Sequence, residues 1–361
     1  MGTTLIFPCS VPDGELYADA ARQRGEPVVA ASSSRHDPAA RKFEQWFFLP
    51  SVHDPDFSLR LSEAIARYRI ERVFCPVPVA NVVLHRLVAE GQISLSIIGE
   101  FPIRRHVREH RKLMDEATAH HAFVQDLTER KSPLSVIEVA SVLRQSLGIF
   151  GESDANKIAA MMAIFADAPR GDVVEIGVLA GRSAYVMASM ARRHETGAVL
   201  VVDAWSTATA AQRDTAPDFQ ATLEQWASVV PMEGFFESFL VSLLPIAAPN
   251  QFNYLALASS EAHRVWLERR QVTTPQFGQT RYTGTISVLH IDGNHDYENV
   301  REDCDLWLPR LAPGGWLVLD DYLWFHGDGP RRVGDTLLTE ARVRIERAFV
   351  CGKALFLKFG A

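Results

Sequence analysis

Apolar residues in the first hundred positions come in short runs separated by helical spacings. The runs Leu5–Phe7, Pro27–Ala31, Trp46–Leu49, Val73–Cys75 and Ile93–Ile98 alternate with amphipathic patterns near 14–24, 56–68 and 80–90. Strand-length runs alternating with helix-length patterns predict a parallel sheet covered by helices. Between 104 and 150 the pattern changes. Arg104–Glu116 is a charged helical stretch, and Ser132–Arg144 reads as a helix capped by Ser132 with Pro133 at its first position. This stretch is expected to be a helical connector and a candidate oligomer contact. From 151 onward the strand–helix alternation returns. Asp154–Ala168 places Ile158, Met161, Met162 and Phe165 on one helical face. Strands are expected at Val173–Ile176, Val199–Val202, Asn253–Ala256, Ile286–Ile291 and Trp316–Leu319. Arg347–Val350 and Ala354–Phe359 flank Cys351–Lys353 as a closing hairpin. The expected fold is α/β: a smaller domain over 1–103, a connector over 104–150, and a mostly parallel, Rossmann-like sheet with an antiparallel hairpin over 151–361.

With 361 residues, each domain can bury a core of its own. A net charge of -7 argues against nucleic acid or an anionic membrane as the main partner. No apolar run is long enough to span a bilayer, and no basic region precedes the short apolar stretch near Met1. Cys9, Cys75, Cys304 and Cys351 lie far apart, which suits buried thiols in a reducing compartment better than disulfides or zinc. A cytoplasmic location is expected.

Two late segments carry the chemistry. Ile291–Glu298 (I-D-G-N-H-D-Y-E) and Pro313–Tyr322 (P-G-G-W-L-V-L-D-D-Y) read as neighbouring strands with acidic carboxyl ends. Ligands of open α/β sheets bind beyond those ends, so Asp292, Asp320, Asp321 and His295 are expected to converge. Clustered carboxylates repel one another unless a cation lies between them, and an all-oxygen set suits magnesium or calcium. The plainer alternative is that Asp292 and Asp321 only cap turns or helices.

Val173–Ala184 (V-V-E-I-G-V-L-A-G-R-S-A) is a strand, a glycine turn and a helix start. Gly177 permits the turn and Gly181 permits close approach at the helix start. The spacing differs from the G-x-G-x-x-G turn that cradles a pyrophosphate. Asp203 closes the next strand, where a carboxylate can accept both ribose hydroxyls. Glu175 would oppose a phosphate but suits a ligand bearing an ammonium and a sulfonium. That pair favours S-adenosylmethionine over a nicotinamide cofactor.

Together, V-E-I-G-V-L-A-G-R-S, V-V-D-A-W, I-D-G-N-H-D-Y-E and L-A-P-G-G-W-L-V-L-D-D-Y resemble class I S-adenosylmethionine-dependent methyltransferases. The likeness is to the metal-dependent sugar O-methyltransferases of the macrocin and mycinamicin type. It implies magnesium at Asp292, Asp320 and Asp321, with His295 as general base. It also implies cofactor contacts at Glu175, Gly177, Gly181 and Asp203, with Ser183 at the helix start. The aspartate often found after the third strand is missing, and Ser259 or Ser260 is the substitute for the adenine edge. In such a fold, 206–250 and 264–284 are expected to cover the substrate. Residues 1–100 separately resemble the small domain that precedes ATP-grasp enzymes, through L-I-F-P-C, V-V-A-A-S-S-S-R-H-D and W-F-F-L-P-S-V-H-D-P-D-F. The lysine and acidic segments of an ATP-grasp part do not follow, so this domain is expected to dock or select substrate.

Imidazole changes charge nearest neutral pH, which suits His295 to deprotonate an alcohol. His290 is expected to pack in the sheet. In Leu323–Arg332, Trp324 is a candidate to stack on a sugar, and Arg331 or Arg332 to hold an acidic group. The expected partner is a small hydroxyl-bearing acceptor containing a sugar, without nucleic acid or membrane, on a chain that is a candidate homo-oligomer. A phenolic or catechol-like acceptor, a nicotinamide-dependent oxidoreductase and a non-catalytic scaffold are the competing readings.

Overall fold

The computed structural model describes residues 2–216, 221–222, 225, 229, 231–340 and 344–360. The chain divides into two compact units, Met1–Lys112 and Leu113–Ala361. In the first, β1 (Thr3–Ile6), β2 (Val28–Ser32), β3 (Trp46–Phe48), β4 (Ile70–Phe74) and β5 (Ser96–Ile98) are all parallel, in the order β3-β2-β1-β4-β5. Successive strand side chains point to opposite faces. Leu5, Val29 and Val73 therefore meet Phe57, Leu61 and Leu84 on one face, while Ile6 and Ala30 meet Ala18 and Phe43 on the other.

The second unit holds a seven-stranded sheet. Its strands are β6 (Asp172–Ile176), β7 (Val199–Val202), β8 (Phe252–Leu255), β11 (Ile286–Ile291), β12 (Leu311–Leu319), β13 (Ile345–Cys351) and β14 (Ala354–Phe359). The order is β13-β14-β12-β11-β6-β7-β8, parallel except for β14, which runs antiparallel to both of its neighbours. This is the expected α/β architecture with its closing hairpin. β6 and β11 are buried at every position, as central strands covered on both faces must be. The chain leaves β6 toward β7 on one side, and β11 lies on the other. A crevice therefore opens between the carboxyl ends of β6 and β11.

Three local expectations differ from what is observed. Pro102–Leu127 is one helix of 26 residues, longer than the charged stretch alone suggests. The next helix is Val136–Gly148, capped by Ser135 in a reciprocal capping box with Glu138, not by Ser132. Three residues separate Ser135 from Glu138, so each satisfies the other's backbone N–H, which Ser132 cannot do. Segment 264–284 contributes no residue to the crevice at the strand ends. After the helix Ser259–Arg269 it forms a hairpin, β9 (Gln271–Thr274) and β10 (Gly278–Arg281), fastened to the sheet edge. Asn253 Nδ2 donates to the Val272 and Gly278 carbonyls, and the Tyr282 hydroxyl donates to the Val199 carbonyl. Among the described residues, no helix is long and apolar enough to cross a membrane.

Candidate active site

The register of the sheet brings the site together. Ile176 pairs with Val202 and Ile291, and Ile291 pairs with Leu319. The next residues on these strands are Gly177, Asp203, Asp292 and Asp320, so all four stand at one edge. A Cβ on Gly177 would lie 2.0 Å from the Asp292 carbonyl oxygen, at a φ of +83°. The bare glycine is what lets the two strand tips approach. Leu179, Trp205 and Asp321 all have φ between 42° and 52°, which is costly for residues with side chains. All three line the crevice, a cavity of about 1100 Å³.

Asp203 organises one side of that cavity. Its Oδ2 accepts from the Val178 and Leu179 N–H groups at 2.8 and 3.0 Å, and its Oδ1 from Trp205 N–H at 2.7 Å. Gly177, Ser183, Ser259 and Ser260 also line the cavity. Ser259 Oγ accepts from Trp307 Nε1 at 2.9 Å and bonds Asp303, whose carboxyl burial pushes up to about 7. Glu175 and Gly181 are placed elsewhere. Glu175 is fully buried on β6, with Oε1 2.9 Å from His290 Nδ1, and Gly181 packs its bare face against Leu243 and Phe239.

The opposite wall is acidic, and it already contains cations. The Lys157 ammonium, on the helix Ala155–Ile164, bonds Asp320 Oδ2 and lies 3.5 Å from Asp292 Oδ2. The Lys353 ammonium, from the turn joining β13 to β14, reaches Asp321 Oδ1 at 2.8 Å. His295 Nε2 lies 2.9 Å from Asp321 Oδ2, and Gln212 Nε2 is 3.0 Å from His295 Nδ1. Burial opposes ionisation of Asp320, yet the Lys157 ammonium holds its carboxyl well below the usual range. Asp292 is driven well above that range, by burial first and then by the Asp320 carboxylate. Burial also disfavours the charged Lys157, but Asp320 and Asp292 outweigh it and raise its pKa. Removing one partner from such a buried pair typically costs about 3–5 kcal/mol.

Loops close over this wall. Asp296 accepts from the Arg213 and Asp214 N–H groups at 2.8 Å, and Asn294 Nδ2 donates to the Ala211 carbonyl at 2.7 Å. Residues 206 and 208–214 thus line the cavity; the stretch 217–230 lies largely outside the described residues. Helix Met232–Leu243 packs Phe236 and Phe239 around Trp205 and Tyr254. Trp324 and His326 line the cavity, with the Trp324 ring 4.5 Å from that of His295. Arg331 and Arg332 do not line it. They sit on the helix Gly329–Thr339, near Asp335 and Asp328, and Arg332 lies over the Tyr297 ring.

Residues 174–322, which contain Glu175, Asp203, Asp292 and Asp321, match the family model described as a methyltransferase domain. A curated relative, the 8-demethyl-8-(2,3-dimethoxy-alpha-L-rhamnosyl)-tetracenomycin-C 4'-O-methyltransferase of Streptomyces olivaceus, is 29% identical over 165 residues. That match covers 44% of this chain and 56% of the relative, so the chain spans about half of its length. Among solved structures, the O-methyltransferase NovP overlaps with a TM-score of 0.40 at 18% identity, covering 57% of this chain and 80% of its own. MycE methyltransferase from the mycinamycin biosynthetic pathway, solved with Mg, SAH and mycinamycin VI, overlaps at 0.38 with 14% identity. That overlap covers 64% of this chain and 56% of MycE.

Sequence reasoning missed Lys157 and Lys353 at this site. A signal for the first existed: Lys157 lies four residues before Met161, on the border of the helix's apolar stripe. A lysine there is either wasted or buried against a carboxylate. Lys353 carried no signal, because C-G-K is an ordinary turn sequence until the hairpin's position is known.

Proposed function

We propose that this chain is an S-adenosylmethionine-dependent O-methyltransferase acting on a hydroxyl of a sugar-bearing small molecule, with magnesium at its acidic wall. One observation carries the reading. A single cavity is lined on one side by the Gly177 turn and Asp203, and on the other by Asp292, His295 and Asp321. Asp203 would accept a ribose hydroxyl with the lone pairs that its backbone N–H partners leave, Ser183 would offer a hydroxyl beside it, and Ser259 or Ser260 would meet the adenine edge. S-adenosylmethionine supplies the electrophilic methyl group. The ligand atoms of Asp292, His295 and Asp321 come within 4.8 Å of one another, and the two carboxylates among them fit a divalent cation. Asp292 and Asp321 would hold magnesium, with Asp320 behind them, and magnesium supplies Lewis-acid polarisation of an acceptor oxygen.

The remaining work belongs to side chains. With its proton on Nε2, 2.9 Å from Asp321 Oδ2, His295 would keep Nδ1 as the atom that takes the acceptor's proton, in place of its contact with Gln212. Asp321 then stabilises the imidazolium, as a carboxylate does when it orients a catalytic histidine. Trp324 gives the acceptor a flat apolar face next to His295, which suits a pyranose. The named activity of the Streptomyces olivaceus relative, methylation of a rhamnosyl oxygen, agrees with that acceptor class.

The test is transfer of a radiolabelled methyl group to three acceptors: a rhamnosylated aromatic glycoside, its aglycone and a simple catechol. Label on the glycoside's sugar is expected. Label confined to the catechol, or to the aglycone's phenols, would overturn the sugar assignment.

A further inference from the structure

Two sets of potential ligand atoms share Asp292: His290, Asp292 and Asp320 form one, and Asp292, His295 and Asp321 form the other. They are not equivalent. The second set faces the cavity. The first is closed off, with His290 fully buried and bonded to Glu175, and Asp320 only 4% exposed. Within that closed set sits an ammonium. Lys157, itself 2% exposed, bonds Asp320 Oδ2 and stands 3.5 Å from Asp292 Oδ2. The other Asp320 oxygen accepts the Asp321 N–H at 2.9 Å.

We propose that Lys157 is a resident cation of the crevice that claims Asp320 for itself. A divalent ion is then held by Asp292 and Asp321 beside His295, not by all three aspartates. The inference rests on the proposed metal site and specifies which of its carboxylates are available. Lys157 cannot leave to make room. Its backbone N–H is fixed by the Asp154 cap at 2.8 Å, and its helix is buried at every position from Lys157 to Ile164. An ammonium withdrawn from Asp320 would find no water, and the carboxylate left behind would lose its counter-charge. A divalent ion placed between Asp292 and Asp320 would also face that ammonium at close range, where low local polarity strengthens repulsion. The lysine thus plays a positioning part: it keeps the carboxylates together before any metal arrives and sets how strongly the metal is held.

The experiment uses the full chain and Mn2+ as the probe, followed by electron paramagnetic resonance. Lys157→Met should bind Mn2+ at least tenfold more tightly than the parent chain, because Asp320 becomes a free ligand. The double variant Lys157→Met with Asp320→Asn removes the ammonium and its carboxylate together. It avoids an unpaired buried charge and should bind within about threefold of the parent. A parent chain that binds no Mn2+ would overturn the proposal, because Asp292 and Asp321 would then not hold the ion. Lys157→Met no tighter than the parent, a double variant tenfold weaker with its circular dichroism intact, or no binding by any of the three would overturn it. S-adenosylhomocysteine binding, measured on the same samples, separates this outcome from the methyltransferase reading, since its loss from the parent would sink only the latter.

Discussion

In the first unit β1 runs into Phe7, Pro8 and Cys9, and β4 runs into Cys75; in the second, β11 and β12 run into Asp292 and Asp320. Both sheets are parallel at these strands, and both reverse their strand order beside them. The thiols of the first are silenced. Burial, with the Asp37 carboxylate adding to it, pushes the Cys9 thiol up to about 11, and burial alone drives Cys75 to about 12. Neither is poised to ionise near neutral pH, as a nucleophilic thiol must be. At the other sheet the strand tips bring three carboxylates, two ammonium groups and two imidazoles together beside a cavity. Strand order provides a place for chemistry, and the charge placed there decides whether chemistry follows.

The largest expected effect separates the two sheets by rate. His295→Ala should slow single-turnover methyl transfer by about 10²–10⁴-fold, the usual contribution of a positioned base. S-adenosylhomocysteine affinity should stay within about twofold. Cys9→Ser and Cys75→Ser should change that rate by less than twofold. Equal losses in both units would erase the distinction drawn between them.

A second comparison sets Asp203 against Asp37, acidic residues that follow the second strand of their respective sheets. Asp203→Ala should weaken S-adenosylhomocysteine about 10–100-fold in calorimetry, the worth of hydrogen bonds to a charged acceptor. Asp37 caps a short helix through Ala39 N–H, and Asp37→Ala should leave that affinity unchanged.

Much of this was legible in the sequence. Strands such as Val199–Val202 and Ile286–Ile291 read correctly because central parallel strands are continuous apolar runs with sharp polar ends. The convergence of Asp292 and Asp320 followed from their being first past adjacent strands. The β9–β10 hairpin was not legible, since its anchor is the side chain of Asn253, almost twenty residues earlier. Glu175 shows the same limit. Its charge suggested a ligand's ammonium, whereas its place opposite His290 depends on the register between β6 and β11. The helix pattern marked Lys157 as a buried lysine, but its pairing with Asp292, 135 residues away along the chain, was beyond any local pattern.

A smaller effect concerns pH. Burial holds Asp303 at about 7, so the folded chain binds its proton more tightly than the unfolded chain does. This contribution is present at low pH and is lost as pH rises from about 4 through 7. Asp303→Asn, which cannot ionise, should therefore lose less Tm than the parent between pH 5 and pH 8, by several degrees in calorimetric scans. Parallel Tm curves for the two chains would show that Asp303 is not held protonated. The least effect is expected at a cap: Ser135→Ala should cost about 1 kcal/mol, or roughly 2–4 °C in Tm. An unchanged Tm would mean that the reciprocal bond with Glu138 adds nothing.

The central claim is that the cavity at β6 and β11 is built for a methyl-donor nucleoside. Calorimetric titration of the full chain with S-adenosylhomocysteine, and separately with NAD, tests it most directly. One S-adenosylhomocysteine bound per chain, with no heat from NAD, is the expected result; tight NAD binding without S-adenosylhomocysteine binding would contradict the account.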